Sequence, residues 1–94
     1  MNYLNTKDAK QLFNAFLALK NEEECRMFLR DLLTEAEIKE FINRLKVAQM
    51  LKAQIPYEEI SKATRMSSTT IARISKWLTK GMGGYQLILS RLKK

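Results

Sequence analysis

Ser67-Ser68-Thr69-Thr70 sets four small hydroxyl side chains in a row, and Arg73, Lys76 and Lys80 follow at steps of three and four residues. Hydroxyls and cations arranged along one side of a helix are suited to one kind of chemistry. They hydrogen-bond and neutralise phosphate oxygens, and short side chains among them reach base edges. The residue types needed for other chemistries are missing. The chain has no histidine and a single cysteine, Cys25, which removes the usual zinc sites and the commonest general base. Glu22-Glu23-Glu24 and Glu58-Glu59 are adjacent acids at expected helix starts, where the helix dipole favours them, rather than catalytic pairs. Gly81 to Gly84 lacks the preceding strand and the lysine of a phosphate-binding loop. Neither an enzyme nor a cofactor or metal site is expected.

The hydroxyl and basic residues need an element to present them. Ser67 suits an N-cap, with a helix running from Ser68 to about Lys80. A shorter helix from about Tyr57 to Thr64 precedes it, and Pro56 suits its start because proline lacks the N–H that a first turn leaves unpaired. A tight turn near Arg65–Met66 joins the two. Two short helices meeting steeply must share a core at fixed offsets if the second is to keep its outer face free for a DNA major groove. Counted from Ile60, those offsets fall on Thr64, Met66, Ile71 and Ile74. Four of the five are large and apolar, and Thr64 substitutes with one methyl. The turn needs a residue at positive φ, where glycine is usual; Arg65 stands there instead. Ser67, Ser68, Thr69, Thr70, Arg73, Lys76 and Lys80, with Arg65 and Tyr57 beside them, are therefore the candidate DNA-contacting residues.

Charge supports that partner. Residues 1–40 carry a net charge of −2 and residues 41–94 a net charge of +9, within a total of +7. A basic half of this size is the footprint of a surface that faces phosphates, with an acidic lipid surface as second choice. Nothing approaches the ~20 apolar residues of a membrane span, and the opening MNYLNTKDAK lacks a secretory layout, so no membrane partner and a cytoplasmic location are expected. Cys25 reads as a lone core thiol of a reducing compartment.

With 3 glycines, 1 proline and no alternating segment, the chain reads as all-α, with about six helices in a single domain spanning 1–94. The first runs from about Thr6 to Lys20, capped by Asn5 or Thr6. The second is capped by Asn21 and carries Cys25, Phe28, Leu29, Leu32 and Leu33. The third opens on the capping-box pattern Thr34-Glu35-Ala36-Glu37, reaches about Gln54 and presents Ile38, Phe41, Ile42, Leu45, Ala48 and Leu51. The last covers about Tyr85 to Leu92 with Leu87, Ile88 and Leu92, before a basic Lys93-Lys94 tail. Residues 1–54 read as dimerisation helices, 55–80 as the helix-turn-helix and 81–94 as a C-terminal helix. Three such apolar stripes exceed what one small chain easily hides, so a homodimer is expected, with Phe13, Phe16, Phe28, Leu32, Phe41 and Leu45 as shared-core candidates; a compact monomer is the alternative.

LTEAEIKEFINRLKVAQML, then Tyr57-Glu58-Glu59-Ile60 and SSTTIARISKWL, resembles the Trp repressor superfamily, and most of all its YerC/YecD type. The likeness covers about Glu24 to Gly84, and FNAFLALKNEEEC fits as well. The resemblance implies an intertwined all-helical homodimer whose helix-turn-helix heads face successive major grooves. In that family tryptophan lies between two arginines, with a threonine nearby. Arg44, Arg73 and Thr34 match those positions. The family's glycine after the recognition-helix arginine, and its serine four after it, are replaced here by Ile74 and Trp77. Thr34, Arg44, Arg73 and Trp77 thus mark a candidate effector pocket whose space is filled, and tryptophan-independent binding is expected. Thr34 and Arg44 also read as a helix cap and an ion-pair member.

The expected function is a sequence-specific DNA-binding regulator, a repressor by resemblance. The small-molecule effector, if any, stays open. A helical adaptor whose basic face docks an acidic protein or membrane surface is the alternative, and a helix-turn-helix used in transposition or replication is a third reading.

Overall fold

A computed structural model describes residues 2–92; the expected Lys93-Lys94 tail lies outside them. Among the described residues there are six α-helices, preceded by a 3-10 turn at Asn2–Leu4, and no strand. The fold is all-α, as expected. The chain divides into two compact units, one ending at Glu35 and the other beginning at Ala36, a division that falls inside the segment read as dimerisation helices.

The N-terminal unit is a helix pair, α1 (Lys7–Leu17) and α2 (Glu22–Leu32). Thr6 caps α1 by accepting from the N–H of Ala9 at 3.0 Å. The helix stops short of the expected Lys20 because its last turn tightens, the Ala18 N–H being shared between Asn14 and Ala15 carbonyls. Asn21 Oδ1 accepts from the Glu24 N–H, and Glu24 Oε1 accepts from the Lys20 N–H, both at 2.9 Å. Two donors that a helix start leaves open are thereby satisfied. Phe16 and Phe28 meet edge to face, centroids 5.6 Å apart and planes at 76°, joining the two helices. No residue of either helix is buried. Phe13 and Phe16 stay about two-fifths exposed, Leu32 more, and Cys25 is half-buried rather than in a core.

The second unit holds α3 (Glu35–Lys52) from its second residue onward, α4 (Tyr57–Thr64), α5 (Ser68–Lys80) and α6 (Gly84–Leu92). Its core joins Val47 and Ala48 of α3, Ile60 of α4, Met66 of the turn, Ile71, Ile74 and Leu78 of α5, and Leu89 of α6. α3 does not bury the single stripe expected of it. Val47 is fully buried while Phe41 and Ile42 are more than half exposed, so its apolar residues occupy more than one side. It also ends two residues before the expected Gln54. There the backbone turns left-handed (φ 62°), the Ile55 N–H bonds the Met50 carbonyl and the Gln54 N–H bonds that of Leu51. This is a Schellman ending with glutamine at the position glycine usually fills, closed by the packing of Met50 and Ile55 on the core.

α6 also differs from expectation. It buries Leu89, with half-buried Tyr85 one turn before it, and leaves Leu87, Ile88 and Leu92 exposed. Gln86 ties three helices together: its Oε1 accepts from Lys52 Nζ at 2.6 Å and its Nε2 donates to the Leu78 carbonyl at 3.1 Å. Gly81 caps α5 where a Cβ would collide with the Trp77 carbonyl oxygen, so glycine is required by close approach.

Candidate nucleic-acid interface

The second unit places α4 and α5 around a shared core. All five positions expected to hold the pair are buried: Ile60, Ile71 and Ile74 fully, Thr64 and Met66 nearly so. Thr64 does more than supply a methyl. Its hydroxyl donates to the Ile60 carbonyl at 2.8 Å and accepts from the Met66 N–H at 3.3 Å, so a polar group is satisfied inside the core. The three-residue turn passes through Arg65 at φ 61°, the left-handed conformation expected there.

Ser67 caps α5 by accepting from the Thr70 N–H at 3.1 Å. Its own O–H donates to the Thr70 hydroxyl oxygen, also at 3.1 Å. Thr70 is half-buried and partly committed to this cap, which sets it apart from exposed Ser68 and Thr69. At about 100° per residue, Thr69, Arg73, Lys76 and Lys80 fall within roughly 60° of helical arc, and Ile71, Ile74 and Leu78 within roughly 60° on the opposite side. One face of α5 is therefore core, and the other is hydroxyl and cationic, all four of its residues exposed. Tyr57, Glu58, Ser61, Lys62 and Ser68 line a shallow depression where α4 meets the start of α5. Of these, Lys62 was not singled out from the sequence, and Glu58 was read there only as a partner of the helix dipole.

The candidate effector residues are distributed differently. Arg44 and Trp77 come together, with Arg44 Cζ 5.7 Å from the centroid of the indole ring. Arg44 Nε also donates to Glu40 Oε2 at 3.1 Å, the ion pair expected of it. Arg44 lines a second shallow depression with Phe41, Leu45 and Tyr85. Burial raises the Tyr85 hydroxyl pKa, opposed by the positive charge of Arg44. Ile74, one residue after Arg73, is wholly within the core, while Arg73 itself is exposed. Thr34 lies immediately ahead of α3, in the N-terminal unit. Among the described residues no cluster of histidine, cysteine, aspartate or glutamate could hold a metal ion, and no helix is long and apolar enough to cross a membrane.

The family model of the Trp repressor protein matches residues 7–93. The chain belongs to the Trp repressor family. It is 41% identical over 91 residues to the uncharacterised YerC protein of Bacillus subtilis strain 168, covering 97% of this chain and 88% of the relative. Its fold is similar to that of a TrpR-like protein from Eubacterium eligens, with a TM-score of 0.94, 37% identity, and 98% and 95% of the two chains covered. A solved structure from Staphylococcus aureus matches with a TM-score of 0.91 and 37% identity over 97% and 91% of the chains. The chain is thus a YerC-type member of the Trp repressor family with the Trp-repressor-like all-α fold.

Proposed function

We propose that this Trp repressor family member is a sequence-specific DNA-binding transcriptional regulator that acts as a repressor, and that α4 and α5 form its helix-turn-helix. The observation that carries this reading is the division of α5 into a core side and an exposed arc of Thr69, Arg73, Lys76 and Lys80. The short hydroxyls at its start read bases in a major groove, and the cations further along bind phosphates. Net charge of +9 over residues 41–94 brings the protein to DNA. The working form is a homodimer in the cytoplasm, in which the apolar side chains left open on α1, α2 and α3, Phe13, Phe16, Leu32 and Phe41 among them, are covered by the second copy.

This regulator does not use tryptophan. Arg44 is already engaged by Glu40 and by the ring of Trp77, and Ile74 fills space beside Arg73. Both readings are tested by selecting binding sites from random duplexes with the purified protein, then measuring affinity over a salt series with and without tryptophan. A selected site bound ~10³-fold or more above bulk DNA is expected, unchanged by tryptophan. Binding that lacks sequence preference and vanishes with salt would instead identify a basic adaptor.

A further inference from the structure

Arg65 occupies the left-handed region at φ 61°, ψ 17°, which side-chain-bearing residues avoid and glycine does not. The turn does not need an arginine to keep this shape. The Arg65 N–H donates to the Ser61 carbonyl at 2.7 Å, and the Ser61 hydroxyl donates to the Met66 carbonyl at 2.8 Å. Thr64 braces the same turn on both sides through its hydroxyl. Every one of these bonds would survive with glycine at position 65.

The side chain returns nothing to the fold. Among the described residues the Arg65 guanidinium makes no hydrogen bond, ion pair or ring contact. Lys62, three residues earlier on the last turn of α4, is exposed and equally unpaired among those residues, although Glu58 and Glu59 stand on the same helix. Lys62 and Arg65 stand three residues apart, and an anion placed against both is attracted by the two like charges. A side-chain-bearing residue is held in this conformation at a cost in folding stability.

We propose that Arg65 is a phosphate-binding residue retained at the turn against folding stability, and that with Lys62 it grips the nucleic-acid backbone apart from the base-facing arc of α5. The inference rests on the DNA-binding reading above. The contact is independent of sequence and fixes the register at which α5 meets the bases. Gln54 provides an internal control. It is held at φ 62° in the link between α3 and α4, so it carries the same backbone strain without a charge.

The test compares Arg65→Gly, Arg65→Lys and Gln54→Gly in the full chain, by Tm without DNA and by affinity for a selected and a random duplex across a salt series. Both glycine variants should raise Tm by a few degrees. Arg65→Gly should weaken binding to both duplexes by the same factor and flatten the slope of log K against log[salt] by about 0.9 per bound copy. Arg65→Lys should keep the slope, and Gln54→Gly should bind as the natural protein does. An unchanged slope in Arg65→Gly overturns the phosphate contact. A Tm that rises in Gln54→Gly but not in Arg65→Gly overturns the trade between stability and binding. If the natural protein binds neither duplex, the proposed function itself fails and takes this inference with it, a result distinct from normal binding that Arg65→Gly leaves intact.

Discussion

The guanidinium carbon of Arg44 lies 5.7 Å from the centre of the Trp77 ring, so a cation on α3 is held over the only indole of the chain, on α5. Glu40, one turn before Arg44, accepts from the Nε of the same guanidinium. Arg44 and Trp77 thereby form a strut between α3 and α5, the helix proposed to read DNA. Trp77 is two-fifths exposed, which places the cation–π contact toward the weaker, solvated end of its range.

Because Trp77 is the only tryptophan, its fluorescence reports this strut directly. Arg44→Ala should shift the emission and lower unfolding stability by about 0.5–1 kcal/mol, measured by urea denaturation followed at the same wavelength. Unchanged emission would show that the guanidinium does not occupy the ring face in solution.

Ile71 is fully buried between α4 and α5. Ile71→Ala removes three carbons from the centre of the helix pair and should cost about 2–5 kcal/mol in a denaturant titration. DNA binding should fall with it, since the outer arc of α5 keeps its position only while the inner side is packed.

Ser67→Ala removes the acceptor for the Thr70 N–H and the donor to the Thr70 hydroxyl. Loss of an N-cap typically costs about 1 kcal/mol, and amide hydrogen exchange should quicken over the first turn of α5 alone.

Within the proposed DNA face, side-chain length should separate two classes of effect. Thr69→Ala should cost about 1–3 kcal/mol at the base it contacts and leave other sequences unaffected. Lys76→Ala and Lys80→Ala should weaken binding to all sequences alike, each lowering the salt slope by about 1, as measured by fluorescence anisotropy. Uniform losses from all three variants would argue against base readout by α5.

The helix pair was legible in the sequence because its packing fixes a set of offsets, and Ile60, Thr64, Met66, Ile71 and Ile74 fill them without dependence on the rest of the chain. Caps at Thr6, Asn21 and Ser67 were legible for a similar reason, being local hydrogen bonds within three residues. Helix α6 was harder. Leu87, Ile88, Leu89 and Leu92 share one short segment, and a one-residue shift turns the apolar side by about 100°, so only tertiary contact selects Leu89. Val47 was hidden in α3 because apolar residues lie on more than one side of that helix. The left-handed Gln54 carried no glycine signal to mark where α3 ends. The sequence placed Arg44 and Trp77 in one candidate pocket; that the guanidinium covers the indole depends on the packing of two helices, α3 and α5, that are separated in the chain by α4.

The central claim is sequence-specific DNA recognition by α5 without a tryptophan effector. The most direct test is equilibrium binding of the purified full chain to its selected duplex and to random duplex, at fixed salt, with and without saturating tryptophan. The account predicts ~10³-fold or greater preference for the selected site and the same affinity in both conditions. Equal affinity for the two duplexes, or a selected site bound tightly only when tryptophan is present, would contradict it.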